Sequence, residues 1–125
     1  MYEVTVEGSF SAAHFLKLYD GSWEPRHGHS FKVAVTMRSK ELDSMGVVVD
    51  FEWLKPALKS ALSEFHERSF NDHPDFREDR MNPSTENIAR AIHDRLAKGT
   101  PKHARIHKVT VWETPDASAS YVPEA

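Results

Sequence analysis

The chain has 125 residues, a formal net charge of −3, eight histidines and no cysteine. That length suits one domain, residues 1–125, with a single core; the missing cysteines exclude a four-thiolate metal site, and the slightly acidic balance offers no basic face for nucleic acid. No apolar run approaches the roughly 20 residues that span a bilayer, and Met1-Tyr2-Glu3-Val4-Thr5 lacks the basic and apolar regions of a signal peptide, so a cytoplasmic protein is expected.

Tyr2 to Phe10 alternates as a strand, with Tyr2, Val4 and Val6 on one face and Glu3, Thr5 and Glu7 on the other. Ser11-Ala12-Ala13 extends it to His14, and Leu18 to Arg26 reads as a loop rich in Asp, Gly, Ser and Pro. Arg26-His27-Gly28-His29-Ser30 then opens a second strand over Ser30 to Arg38. Residues two apart on a strand share a face, so His27 and His29 project together, with Gly28 adding no side chain between them. An antiparallel hairpin brings His14 beside the pair. A His-x-His pair alone is compatible with plain solvent exposure. A third histidine among alanines, however, needs a partner if buried, and three neutral imidazoles form a catalytic zinc set with a fourth position open.

Ser39 to Gly46 suits a turn, and Val47-Val48-Val49 a short extended return. Asp50 is placed to cap a helix whose apolar stripe is Leu54, Leu58, Leu62 and Phe65. Pro56 is tolerated only near a helix start, so regular helix is expected to begin later than Asp50 suggests. Phe70 to Pro83 is a polar loop. Ser84-Thr85-Glu86-Asn87 starts a second helix with Ile88, Ala89, Ile92 and Leu96 as its stripe; Asn82 or Ser84 caps it, and Gly99 with Pro101 ends it. His107 to Glu113 is a third strand, Val109 and Val111 inward, and a turn at Pro115-Asp116-Ala117 leads to a last strand over Ser118 to Val122. The order ββααββ predicts an α+β fold: a four-stranded antiparallel sheet with two helices packed on one face. Its exposed edges invite pairing with neighbouring subunits.

The assembled motifs resemble a known family. Phe10-Ser11-Ala12-Ala13-His14, His27-Gly28-His29-Ser30-Phe31, Val49-Asp50-Phe51 before Leu54-Lys55, Asn82-Pro83-Ser84-Thr85-Glu86-Asn87 and Trp112-Glu113-Thr114 occur in the order and at the separations of the 6-pyruvoyl-tetrahydropterin synthase / 6-carboxy-tetrahydropterin synthase family. The resemblance covers essentially the whole chain. It implies a tunnelling fold (T-fold), a hexamer of two stacked trimers with active sites between subunits, and a catalytic Zn2+ held by His14, His27 and His29. It also implies a zinc-dependent, lyase-type pterin synthase acting on 7,8-dihydroneopterin triphosphate, in the setting of folate or queuosine biosynthesis. Glu113 then matches the residue that anchors the pterin, since a carboxylate accepts two hydrogen bonds from a planar guanidine-like edge; otherwise it is a solvated strand-end glutamate. Thr85 and Glu86, at a helix start, can support the ring as well as cap the helix.

Two departures bear on the chemistry. Family members of the usual type carry a cysteine four residues before the first histidine of the His-Gly-His motif, and here that position is Trp23. Glu24 follows, which resembles a subgroup whose glutamate replaces the cysteine and whose product goes toward folate. A glutamate near a metal can serve as base. The family's Asp-His pair after the first helix is matched by His66 and Glu67, the imidazole and the acid in reversed order. Glu24 and His66 are thus the catalytic candidates, and Arg26, Lys32 and Lys17 are candidates for the phosphates. The alternative reading is a family member that binds zinc and pterin without the usual synthase activity.

Overall fold

The computed structural model describes residues 1–77 and 80–124. Two long strands, β1 (Tyr2–His14) and β2 (His27–Ser39), pair antiparallel along their whole length, from Tyr2↔Ser39 to His14↔His27. Helix α1 (Phe51–Ser63), the two-residue strand β3 (Arg68–Ser69), a 3-10 turn (Phe70–Asp72) and helix α2 (Thr85–Ala97) follow. Strands β4 (Arg105–Thr114) and β5 (Ala117–Tyr121) complete the chain.

The expected ββααββ order of the long elements is present, but the sheet is not four-stranded and antiparallel. It has five strands in the order β3-β1-β2-β4-β5, and β3 makes it mixed, pairing parallel to β1 through Ala12↔Arg68 and Ala13↔Ser69. Two residues cannot display a periodicity, so nothing local marks β3 as a strand.

Alternation decides what the sheet buries. The inward rows hold Val6, Phe10 and Ala12 on β1, Phe31, Val33, Val35 and Met37 on β2, and Val109 and Val111 on β4; all are buried. Leu54, Leu58 and Leu62 of α1 and Ile88, Ile92 and Leu96 of α2 join them in one cluster. Gly8, on the same face, admits α1 closely, for a Cβ there would lie 3.1 Å from Leu62 Cδ1 and 3.3 Å from Leu58 Cδ2.

Two other expectations change, and the open choice of cap for α2 is decided. α1 begins at Phe51, directly after its N-cap Asp50, whose carboxylate accepts from the Glu52 amide at 2.9 Å. Pro56 sits inside that helix on its exposed side, and its missing amide leaves the Glu52 carbonyl without that intrahelical donor. Val47 to Val49 form no strand: Val48 and Val49 are buried in a bend, and the Val48 carbonyl accepts from His103 Nε2 at 2.7 Å. Ser84, not Asn82, caps α2, accepting from the Asn87 amide at 3.2 Å. Of the polar loop expected over Phe70 to Pro83, residues 78 and 79 lie outside the described residues. Among the described residues no helix is long and apolar enough to cross a membrane.

Candidate metal centre

The inward row that builds the core runs directly into three imidazoles. At the end of the β1–β2 ladder, His14 pairs with His27 and Ala12 with His29, one step beyond Phe10↔Phe31. The ring centroids of His14 lie 4.6 Å from His27 and 5.2 Å from His29, and those of His27 and His29 are 4.8 Å apart. Phe31, fully buried, is their floor, edge-on to His14 at 5.8 Å and to His29 at 5.5 Å. Gly28 is on the opposite face, where an added Cβ would make only ordinary contact with the Ala12 carbonyl at 3.6 Å. The histidines therefore have room because of strand parity, not because of the glycine.

Glu113 completes the group. It continues the inward row of Val109 and Val111 and brings Oε1 to 3.1 Å from His14 Nε2 and 2.9 Å from His29 Nε2. His14, His27, His29 and Glu113 each offer a ligand atom, all within 4.8 Å of one another.

The tautomers are fixed from outside. His14 Nδ1 lies 2.8 Å from the Pro83 carbonyl and His27 Nδ1 2.9 Å from the Pro25 carbonyl. A carbonyl only accepts, so each Nδ1 carries the proton; His27 Nε2 is left with its lone pair, while His14 Nε2 lies in hydrogen-bond geometry with Glu113 Oε1 and presents a lone pair there when the ring is neutral. Burial pushes the pKa of His29 below its ordinary value of 6.5, against an opposing pull from Glu113 and with a smaller push from His14 and His27. Its buried Nε2 has no hydrogen-bond partner, since the 2.9 Å contact with Glu113 is not aligned as one. Neutral imidazole lone pairs facing a carboxylate at this range repel unless a cation lies between them. Imidazole nitrogens with a carboxylate oxygen are a donor set that zinc accepts, and backbone carbonyls behind the imidazoles are the usual orienting partners. The four residues fit a divalent metal.

The remaining candidates divide. Thr85, first in α2, donates through Oγ1 to Glu113 Oε2 at 3.5 Å. Glu86, in the same turn, is exposed and is not among the converging residues. Glu24 Oε1 lies 3.8 Å from His27 Nε2 and accepts from the Leu16 amide at 2.9 Å, which holds the carboxylate against the cluster. Trp23 packs outside the same loop, edge-on to Phe15 at 5.4 Å and under Lys17 Nζ at 5.7 Å. Between the two, Glu24 is the one whose side chain reaches the histidines.

His66 is about half exposed, with Nδ1 accepting from the Ser11 amide at 3.1 Å and Nε2 3.5 Å from Glu67 Oε1. It lines a groove of about 460 Å³ with Lys55 and Lys59. Glu67 instead lines a cavity of about 890 Å³ whose wall includes His29, Arg26 and Arg68. It sits at φ 59°, a left-handed conformation uncommon for a non-glycine residue, with its amide on the Ser11 carbonyl. The reversed pair thus places the acid, rather than the imidazole, on the side of His29. Of the phosphate candidates, Arg26 is exposed and 3.4 Å from Asp72. Lys32 is on the outer face of the sheet, beside Glu7 at 3.4 Å and over Trp112 at 5.0 Å, so the sheet separates it from the histidines.

Sequence patterns miss the supports. Asn71 clamps Phe15, accepting from its amide at 3.0 Å and donating to its carbonyl at 2.9 Å. Asn82 clamps Lys17 in the same way at 2.8 and 3.0 Å. These bonds fix the chain leaving His14 and the segment that carries the Pro83 carbonyl.

Residues 3–124 match the family model described as 6-pyruvoyl tetrahydropterin synthase. The dihydroneopterin monophosphate aldolase of Pyrococcus furiosus is 33% identical over 110 residues, 88% of each chain. The 6-carboxy-5,6,7,8-tetrahydropterin synthase of Bacillus subtilis is 32% identical over 129 residues, covering 98% of this chain and 86% of that protein. The solved structure of Caenorhabditis elegans 6-pyruvoyl tetrahydropterin synthase superposes with a TM-score of 0.79 at 26% identity, over 99% of this chain and 98% of its own.

Proposed function

The chain belongs to the 6-pyruvoyl tetrahydropterin synthase family, and from that membership and the site's geometry we propose that it is a zinc-dependent enzyme that cleaves the phosphorylated side chain of a 7,8-dihydroneopterin. The observation that carries the reading is Glu24, held by the Leu16 amide with Oε1 3.8 Å from His27 Nε2, in a chain without cysteine. His14, His27 and His29 would hold the zinc, which when bound supplies Lewis acidity to the side-chain hydroxyls and lowers the cost of removing a proton from them. Glu113, backed by Thr85, binds the amino-pyrimidine edge of the pterin. Glu24 takes the proton of the C2′ hydroxyl; the C1′–C2′ bond breaks, its electron pair passes into the conjugated ring system, and C1′ is reprotonated. The products are 6-hydroxymethyl-dihydropterin and a two-carbon aldehyde phosphate. The name of the Pyrococcus furiosus relative supports cleavage over triphosphate elimination.

The open edges support an assembly. β1 is covered by β3 only at Ala12 and Ala13, and β5 lies at the other margin of the sheet. Two stacked trimers, with sites between subunits, satisfy both edges, and a cytoplasmic setting suits the substrate.

Incubation of zinc-loaded protein with 7,8-dihydroneopterin triphosphate and, separately, its monophosphate tests the reading, with products identified by mass. The expected product is 6-hydroxymethyl-dihydropterin, lost in Glu24→Gln. A 6-pyruvoyl or 6-carboxy product refutes cleavage, and tight binding without conversion favours a zinc- and pterin-binding protein that lacks synthase activity.

A further inference from the structure

We propose that Glu113 is a displaceable fourth metal ligand, held on the histidine cluster while the site is free of pterin and drawn off it when the pterin ring binds. The ring half of this exchange rests on the proposed function; the metal half stands on the geometry alone.

Spacing is the first argument. Zinc bonds of about 2.0–2.1 Å put neighbouring ligand atoms of a tetrahedron about 3.3 Å apart. Glu113 Oε1 lies 3.1 and 2.9 Å from His14 and His29 Nε2, within a few tenths of that separation. The His29 contact is not aligned as a hydrogen bond, and the His14 contact, which has hydrogen-bond geometry, would need a second proton on a ring whose Nδ1 already faces the Pro83 carbonyl. The oxygen stands where a donor stands. Glu24 does not compete for the position, since its Oε1 is committed to the Leu16 amide and lies 3.8 Å from the nearest imidazole nitrogen of the set, that of His27.

Freedom to leave is the second. The β4–β5 register shifts between Trp112 and Thr114, so Glu113 is passed over in that ladder, and the last β2–β4 pair is Lys32↔Trp112. It thus has no partner residue in either ladder, and its side chain is 31% exposed. Thr85 Oγ1 tethers Oε2 at 3.5 Å, a long contact that guides without fixing. Binding a guanidine-like ring edge takes both carboxylate oxygens, and Oε1 cannot serve the ring and the metal together. Arrival of the ring would therefore open a coordination position as the substrate side chain reaches it, and close it again on release.

The test uses full-length protein, zinc affinity measured by chelator competition, and unsubstituted pterin, which has the ring edge and no side-chain hydroxyls. Outer-shell partners of metal ligands are worth about 10–100-fold in affinity, so Glu113→Ala should weaken zinc binding by more than about 100-fold. Glu113→Gln, which keeps the shape and removes the charge, should fall in the same direction. Circular dichroism of the metal-free variants shows whether they are folded. In the cobalt-substituted wild type, pterin should shift the visible d–d bands. It should also weaken metal retention, by the same factor that the metal weakens pterin binding; neither effect should remain in Glu113→Ala. Wild-type zinc affinity in both folded variants overturns the proposal, and pterin that binds without moving the cobalt bands overturns the exchange. Failure of pterin to bind the wild type overturns the proposed function and the exchange with it, while zinc loss in Glu113→Ala would still identify the fourth ligand.

Discussion

Replacing Asn82 with alanine removes two hydrogen bonds, one from the Lys17 amide at 2.8 Å and one to the Lys17 carbonyl at 3.0 Å. Both are near the surface, where water can substitute, so each contributes about 0.5–1.5 kcal/mol and the pair about 1–3 kcal/mol. For a chain of this size that is a fall in Tm of about 4 °C per kcal/mol. The consequence for the site is more specific than the stability loss. The Asn82 carbonyl accepts from Asn87 Nδ2 at 2.8 Å, and the next residue supplies the carbonyl that fixes the His14 tautomer. Loosening this segment lets His14 turn, and zinc affinity should fall by about tenfold, the low end of the range for outer-shell partners. Asn82→Asp keeps the acceptor, loses the donor and should fall between alanine and the wild type. Urea unfolding and chelator competition on the same preparations measure both effects, with Gly8→Val as a variant similarly destabilised but remote from the histidines. Unchanged zinc affinity in Asn82→Ala, or an equal loss in Gly8→Val, refutes the orienting role.

Gly8→Val should itself cost about 2–3 kcal/mol, the upper part of the range for overpacking, because a Cβ already meets Leu62 Cδ1 at 3.1 Å and Leu58 Cδ2 at 3.3 Å. Gly8→Ala should be near neutral by urea unfolding, since the leucine tips can yield and alanine restores strand propensity; a loss as large as that of valine would show that α1 cannot shift. Metal-free protein should lose stability on acidification. His29 has its folded pKa depressed below 6.5 by burial, so the unfolded chain takes up the proton first. The contribution of His29 is therefore whole above pH 6.5, declines as the pH falls from there toward the folded pKa, and is gone below it. His29→Gln should flatten that part of the profile, and an unchanged slope would refute the assignment.

The fold was legible where a period is expressed over many residues. The alternation from Tyr2 to Phe10 and from Phe31 to Met37, and the leucine spacing of α1, locate the long strands and the first helix from chemistry alone. Strand β3 was not legible, because its two residues are defined by a parallel partner about 55 positions earlier. Pro56 misled because the lost bond and ring clash of an interior proline are a local penalty, which the burial of Leu54, Leu58 and Leu62 outweighs here. In the site, the juxtaposition of His14, His27 and His29 follows from parity plus one hairpin. The orientation of the imidazoles does not, since it is set by the carbonyls of Pro25 and Pro83, and every residue has a carbonyl. Glu113 was legible as an inward residue at a strand end. Its position on the histidines needed the register of β4 against β2, which carries no local signal.

The strands that carry the core also carry the site, so a metal held there would couple to folding. Crowding three imidazoles, of which His14 is buried and His27 and His29 are partly exposed, beside a carboxylate carries a cost that Phe31 and the aromatic group of Phe10, Phe65 and Phe70 offset through packing. Asn71 and Asn82 reinforce the end of the β1–β2 ladder, each binding the backbone that leaves His14 through both its amide and its carbonyl. Amide clamps suit the task because they hold geometry without adding charge near the imidazoles. Glu24, the nearest further carboxylate, is itself tied to a backbone amide, so its charge is kept at a fixed distance from His27. The local arrangement gathers the imidazole nitrogens at one point, and the neutral clamps around them leave the charge of that point to the carboxylates and to any cation bound there.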